Sequence, residues 1–122
     1  MVDTAKTKDR VIEIASILDE HRGENTVAIY IGDQSSFTDY FIITTVTSNA
    51  HLKGLYRELR TYLSENGIEP LHKTKGFNEE NWVLIDCGYF VIHLMDSEMR
   101  EFYELERLWF AGEKVYQSSK SS

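Results

Sequence analysis

Residues 82–95 read Trp82-Val83-Leu84-Ile85-Asp86-Cys87-Gly88-Tyr89-Phe90-Val91-Ile92-His93-Leu94-Met95, two β-branched and aromatic runs parted by a Cys-Gly step. Such runs on either side of a glycine-bearing loop predict a β-hairpin, with strands over Trp82–Asp86 and Tyr89–Met95. With Cys87 and Gly88 as the loop, Asp86 pairs with Tyr89, Ile85 with Phe90, Leu84 with Val91, Val83 with Ile92 and Trp82 with His93. Side chains alternate across a strand, so Val83, Ile85, Phe90 and Ile92 form one wholly apolar face, fit to lie under helices. The other face carries Trp82, Leu84, Asp86, Tyr89, Val91 and His93, a mixture of aromatic, aliphatic and titratable groups. Two readings of that face stand. Either helices cover it and Trp82 and Tyr89 find internal hydrogen bonds, or it stays open for a protein partner or a second copy of the chain. The exposure of Trp82 separates them.

On the N-terminal side of the hairpin, Asp3 or Thr4 caps a helix whose Val11, Ile14, Ala15 and Leu18 recur at helical spacing, with Ile12 and Ile17 widening the stripe and Gly23 as its stop. Thr26–Ile31 is a continuous β-branched run, which predicts a central strand covered on both faces. The turn-prone segment 34–38 leads into a neighbouring strand over Asp39–Thr47. Ser48 and Asn49 cap a second helix with Leu52, Leu55, Tyr56, Leu59, Tyr62 and Leu63 on one side, closed by Asn66, Gly67 and Pro70. Gly54 inside that helix costs about 1 kcal/mol relative to Ala, which suggests close backbone packing. Leu71–Lys75 reads as a short edge strand protected by its lysines. Beyond the hairpin, Asp96 or Ser97 caps a last helix with Met99, Phe102, Leu105 and Trp109 inside, and residues 117–122 form an unstructured tail. The order α-β-β-α-β-β-β-α predicts an α/β (α+β) domain with a mixed sheet of about five strands, a single domain over residues 1–116.

Charge and composition narrow the function. Thirteen Lys and Arg against twenty Asp and Glu leave a formal charge of −7, which disfavours direct nucleic-acid binding and suits a basic protein partner. The longest apolar run, Val27–Ile31, is far short of the ~20 residues of a membrane span, and with no secretion signal and a lone Cys87 the expected location is the cytoplasm. His21, His51, His72 and His93 are scattered without partners at ligand spacing, so no metal is expected. No nucleophile elbow, P-loop or dinucleotide fingerprint is present, and no cofactor is expected. Cys87 and His93 belong to opposite hairpin faces, which removes a nucleophile–base pair. Asp39 and Asp86 at strand ends would suit metal-phosphate chemistry, but the supporting phosphate loop is missing. In the last helix Glu98, Glu101, Glu104 and Arg107 step at i+3, either a solvated face or a docking edge for a basic partner, and Arg100 and Glu104 stand at ion-pair spacing.

Four strings in order resemble the Iojap family, whose bacterial members are the ribosomal silencing factors. They are Ser35-Ser36-Phe37-Thr38-Asp39-Tyr40-Phe41; Thr47-Ser48-Asn49; Trp82-Val83-Leu84-Ile85-Asp86 with Gly88 and His93; and Arg100-Glu101-Phe102-Tyr103-Glu104-Leu105-Glu106 with Leu108-Trp109. The resemblance implies a nucleotidyltransferase-like fold without the catalytic motif and a non-enzymatic role. It implies binding to the large ribosomal subunit through ribosomal protein fourteen of that subunit, blocking the small subunit when nutrients are limiting. On this reading Trp82 is the aromatic anchor, with Leu84, Asp86, Tyr89, Val91 and His93 beside it. Asp39, Tyr40, Gly88, Arg100, Tyr103 and Glu104 match family motifs and are read as structural first. The chain departs from the family pattern at Tyr30, Val46, Lys75 and Tyr89. A residual nucleotidyltransferase and a homodimeric module remain as alternatives.

Overall fold

A computed structural model describes residues 4–33, 38–71, 82–104 and 112–118. Helix α1 spans Thr4–Glu20, and Val11, Ile14, Ala15 and Leu18 are fully buried on one stripe. It ends in a Schellman arrangement: the Gly23 N–H donates to the Leu18 carbonyl at 2.8 Å and the Arg22 N–H to that of Asp19 at 3.1 Å. The left-handed residue is Arg22, at φ 70°, and not the expected Gly23. Gly23 is needed for a different reason. A Cβ there would stand 2.3 Å from Thr44 Oγ1 and 2.8 Å from the Leu18 carbonyl.

Strands β1 (Glu24–Tyr30) and β2 (Tyr40–Val46) pair antiparallel, and every residue of β2 is buried. Helix α2 (Asn49–Glu65) starts where the Ser48 hydroxyl accepts the His51 N–H at 3.0 Å. It ends in a second Schellman motif with Gly67 at φ 69° and the Ile68 N–H on the Leu63 carbonyl at 2.8 Å. Leu52, Leu55, Leu59 and Leu63 are buried, each contributing about 1.5–3 kcal/mol of transfer free energy. Gly54 departs from expectation, since a Cβ there would meet nothing within 4 Å.

Strands β3 (Trp82–Asp86) and β4 (Phe90–Asp96) form the predicted hairpin in a shifted register, with Asp86 opposite Val91, Ile85 opposite Ile92, Leu84 opposite His93, Val83 opposite Leu94 and Trp82 opposite Met95. The loop is Gly88-Tyr89, not Cys87-Gly88, because Gly88 takes φ 88° and so fits the first loop position, where a primed hairpin turn needs a left-handed residue. Moving the loop by one residue displaces the pairing by two, so each side chain keeps its face.

Helix α3 (Ser97–Tyr103) begins with the Asp96 carboxylate accepting the Met99 N–H at 2.8 Å and stops at Glu104, which is left-handed. It is shorter inside than expected: Phe102 is 76% exposed, while Leu105 and Trp109 lie outside the described residues. The expected strand over Leu71–Lys75 is seen only at Leu71, a bend whose N–H donates to the Asp86 carbonyl at 2.7 Å; His72 and the rest lie outside the described residues.

A strand that the sequence pattern missed, β5 (Glu113–Gln117), pairs antiparallel with β1. Gln117, expected in the tail, is therefore a strand residue opposite Val27, and the Ser118 N–H donates to the Thr26 carbonyl. Its exposed-exposed-intermediate pattern follows from its place at a sheet edge, where charged side chains are tolerated. The described order is thus α-β-β-α-β-β-α-β, and the five-stranded sheet runs β3-β4-β2-β1-β5, with the β2–β4 pair parallel and the others antiparallel. Helices α1 and α2 cover one face, joined to Ala28, Ile42, Val83, Ile85, Phe90, Ile92 and Leu94 in one core.

Candidate functional site

The opposite face gathers alternate residues of four strands into one layer: Val27, Ile29 and Ile31; Phe41 and Ile43; Val91 and Met95; and Trp82, with Leu84 and Met99 packed against it. Trp82 is 8% exposed, and Val91 and His93 are 3% exposed. The open-flank reading fails here. A face this wide and apolar would be costly in water, and α3 folds back so that Met99 joins it at one end.

Within the layer the Trp82 indole N–H donates to His93 Nδ1 at 3.2 Å, and the Phe41 ring meets the imidazole edge-on with centroids 4.7 Å apart. Accepting at Nδ1 fixes a neutral ring with its proton on Nε2. Burial pushes the imidazole down to about 3, and Nε2 has no hydrogen-bond partner among the described residues. Trp82 and His93 therefore stiffen the hairpin from inside. Cys87 packs against the helix-side core, on the other face from His93, and burial, with the Asp86 charge, pushes its thiol up to about 12, which leaves it a poor nucleophile.

What reaches solvent is the turn. Tyr89 is 50% exposed and Leu71 62% exposed, while Leu84 and Asp86 are half-buried. The Asp86 carboxylate accepts the Gly88 N–H at 2.9 Å, and Leu71 Cδ1 lies 3.8 Å from where a Gly88 Cβ would be. The Asp39 and Tyr40 N–H groups both donate to the Tyr89 carbonyl, at 3.1 and 3.2 Å, so the start of β2 pins the turn. Beside it lies a groove of about 260 Å³ lined by Lys6, Thr7, Arg10, Ile68, Cys87, Tyr89 and Phe90. Leu71 and the two α1 cations were not legible as site residues. Only the isolated apolar Leu71 after Pro70 hinted at a surface role.

Arg100 and Glu104 stand at the other end of β4, roughly 20 Å from the turn at about 3.3 Å per strand residue. The Arg100 guanidinium donates to Thr45 Oγ1 at 2.9 Å and to the Glu24 carbonyl at 3.3 Å, fastening α3 to β1 and β2. Together with Glu24, Asn25, Ser97, Glu101 and Glu104 it lines an open cleft of about 410 Å³. Tyr103 closes α3, and Glu98, Glu101 and Glu104 are exposed. Ser35, Ser36, Phe37, Lys75 and Arg107 lie outside the described residues. Among the described residues no three His, Cys, Asp or Glu side chains converge as a metal site, and no helix is long and apolar enough to cross a membrane.

These features define a small α+β domain in which a pinned, aromatic-tipped hairpin turn reaches solvent, an arrangement suited to contact with another macromolecule. A family model described as "Ribosomal silencing factor during starvation" matches residues 4–122, and the chain belongs to that family. The ribosomal silencing factor of Bacillus subtilis is 36% identical over 95 residues, 78% of this chain and 80% of that one. A mouse protein named for mitochondrial assembly of the ribosomal large subunit is 34% identical over 79% of this chain and 43% of its own length. A crystal structure from Chromobacterium violaceum superposes with a TM-score of 0.76 at 25% identity, covering 93% of this chain and 89% of that one. One from Bacillus halodurans superposes with a TM-score of 0.72 at 29% identity, covering 88% and 98%.

Proposed function

We propose that the protein binds the large ribosomal subunit in the cytoplasm, through ribosomal protein fourteen of that subunit, and blocks joining of the small subunit when nutrients are limiting. The observation that carries this reading is the family match over residues 4–122. The mechanism is occupancy and needs no catalysis. A body with a radius of gyration of roughly 14 Å on the joining face excludes the other subunit, and apparent subunit affinity falls by the factor 1 + [protein]/Kd.

The contact surface is the hairpin turn and the adjoining edge strand β3, with Tyr89, Leu71 and Asp86 at the turn and the half-buried Leu84 along the strand meeting the partner. Trp82, Val91 and His93 act beneath it by holding the strands in place. Sedimentation of purified subunits tests the function: added protein should deplete joined ribosomes, and undiminished joining at saturating protein refutes it. The surface is tested separately. Tyr89→Ala removes a half-exposed ring and should leave stability within about 0.5 kcal/mol while weakening binding to ribosomal protein fourteen. Trp82→Ala should lose about 3–5 kcal/mol of stability. Full binding by folded Tyr89→Ala and Leu84→Ala variants would rule this surface out.

A further inference from the structure

Helix α2 divides its solvent side between two chemistries. Leu52, Leu55, Leu59 and Leu63 mark its buried stripe. Tyr62 meets Arg10 and Glu13, the His51 ring reaches the His21 carbonyl, and Glu58 lies 3.8 Å from the His21 ring, so that flank faces α1 and its C-terminal turn. At about 100° per residue, Lys53, Arg57 and Arg60 fall on the flank away from α1, within an arc of about 60°. All three are exposed. The helix's two carboxylates, Glu58 and Glu65, stand roughly a third of a turn away, on the α1 side. Among the described residues none of the three cations forms an ion pair; Arg60 instead donates to the Tyr56 hydroxyl at 3.1 Å and lies 5.8 Å over its ring.

Nothing among the described residues accounts for this segregation. Lys53 and Arg57 are like charges at i, i+4, which disfavours the isolated helix. The flank offers a partner three cations spread over about 10 Å of helix axis. It has no exposed apolar anchor of the sort a docked peptide needs, whereas phosphates need only positive charge. The chain's overall −7 opposes nucleic-acid binding at long range, but within a Debye length of about 8 Å the local cations dominate.

We propose that Lys53, Arg57 and Arg60 contact the phosphate backbone of ribosomal RNA beside the protein partner, a second contact that rests on the large-subunit reading above. The test compares the wild type with Lys53→Gln/Arg57→Gln/Arg60→Gln, whose glutamines retain helix propensity. The triple variant loses the exposed Arg60–Tyr56 contact but also the Lys53–Arg57 repulsion, so it should melt within about 5 °C of the wild type and bind isolated ribosomal protein fourteen unchanged. It should bind purified large subunits at least tenfold more weakly at low salt, with a plot of log K against log salt shallower by about 2. A variant keeping the charges, Lys53→Arg/Arg57→Lys/Arg60→Lys, should retain the wild-type slope. Unchanged subunit affinity and slope in the triple variant would overturn this contact alone. Equal weakening toward the isolated protein would overturn it in favour of a protein contact, and a wild type that binds no large subunit would overturn both readings.

Discussion

Acid should loosen this protein through one residue, His93. Its ring is sealed between Trp82 and Phe41, and burial lowers its pKa from 6.5 to about 3. The unfolded chain takes up a proton there as pH falls through 6.5, while the folded chain does so only near 3, so stability is highest above 6.5 and declines across that window. At 1.36 kcal/mol per unit, the penalty is just under about 1 kcal/mol at pH 6, about 2 kcal/mol at pH 5 and about 5 kcal/mol once pH is well below 3. That last figure rivals the whole stability of a typical domain. Urea unfolding of the wild type and His93→Gln at pH 7.5, 6 and 5 measures it, because glutamine does not titrate and its carbonyl can accept the Trp82 N–H. The wild type should lose about 2 kcal/mol more than the variant between pH 7.5 and 5. Parallel stability curves would refute the argument and show that His93 titrates alike in both states.

Gly54→Ala should stabilise by up to about 1 kcal/mol in thermal unfolding, since the new methyl meets nothing and the helix gains propensity. Gly23→Ala should do the reverse, because the Leu18 carbonyl and Thr44 hydroxyl already occupy the space of a Cβ. The Tyr116 hydroxyl donates to the Asp19 carboxylate at 2.7 Å and ties β5 to α1, so Tyr116→Phe should cost about 1 kcal/mol and speed amide exchange along β5 before the rest of the sheet.

The sequence by itself determined the helix stripes of α1 and α2, the cores of β1 to β4 and the division of the hairpin into two faces, because each is a local periodicity of apolar residues. It also carried the family strings, and with them the fold. Tertiary structure decided the rest. The loop falls on Gly88-Tyr89 because only the glycine tolerates the left-handed first position, a matter of one backbone angle that spacing does not encode. Strand β5 has a charged, half-exposed pattern that becomes a strand only beside β1. Trp82, Val91 and His93 carry the pattern of an outward face, yet four strands and α3 bring together enough apolar surface to bury them. The solvent-facing groups left for the proposed contact are Tyr89, Leu71 and their neighbours at the turn, since burial belongs to the assembled sheet and not to any single strand.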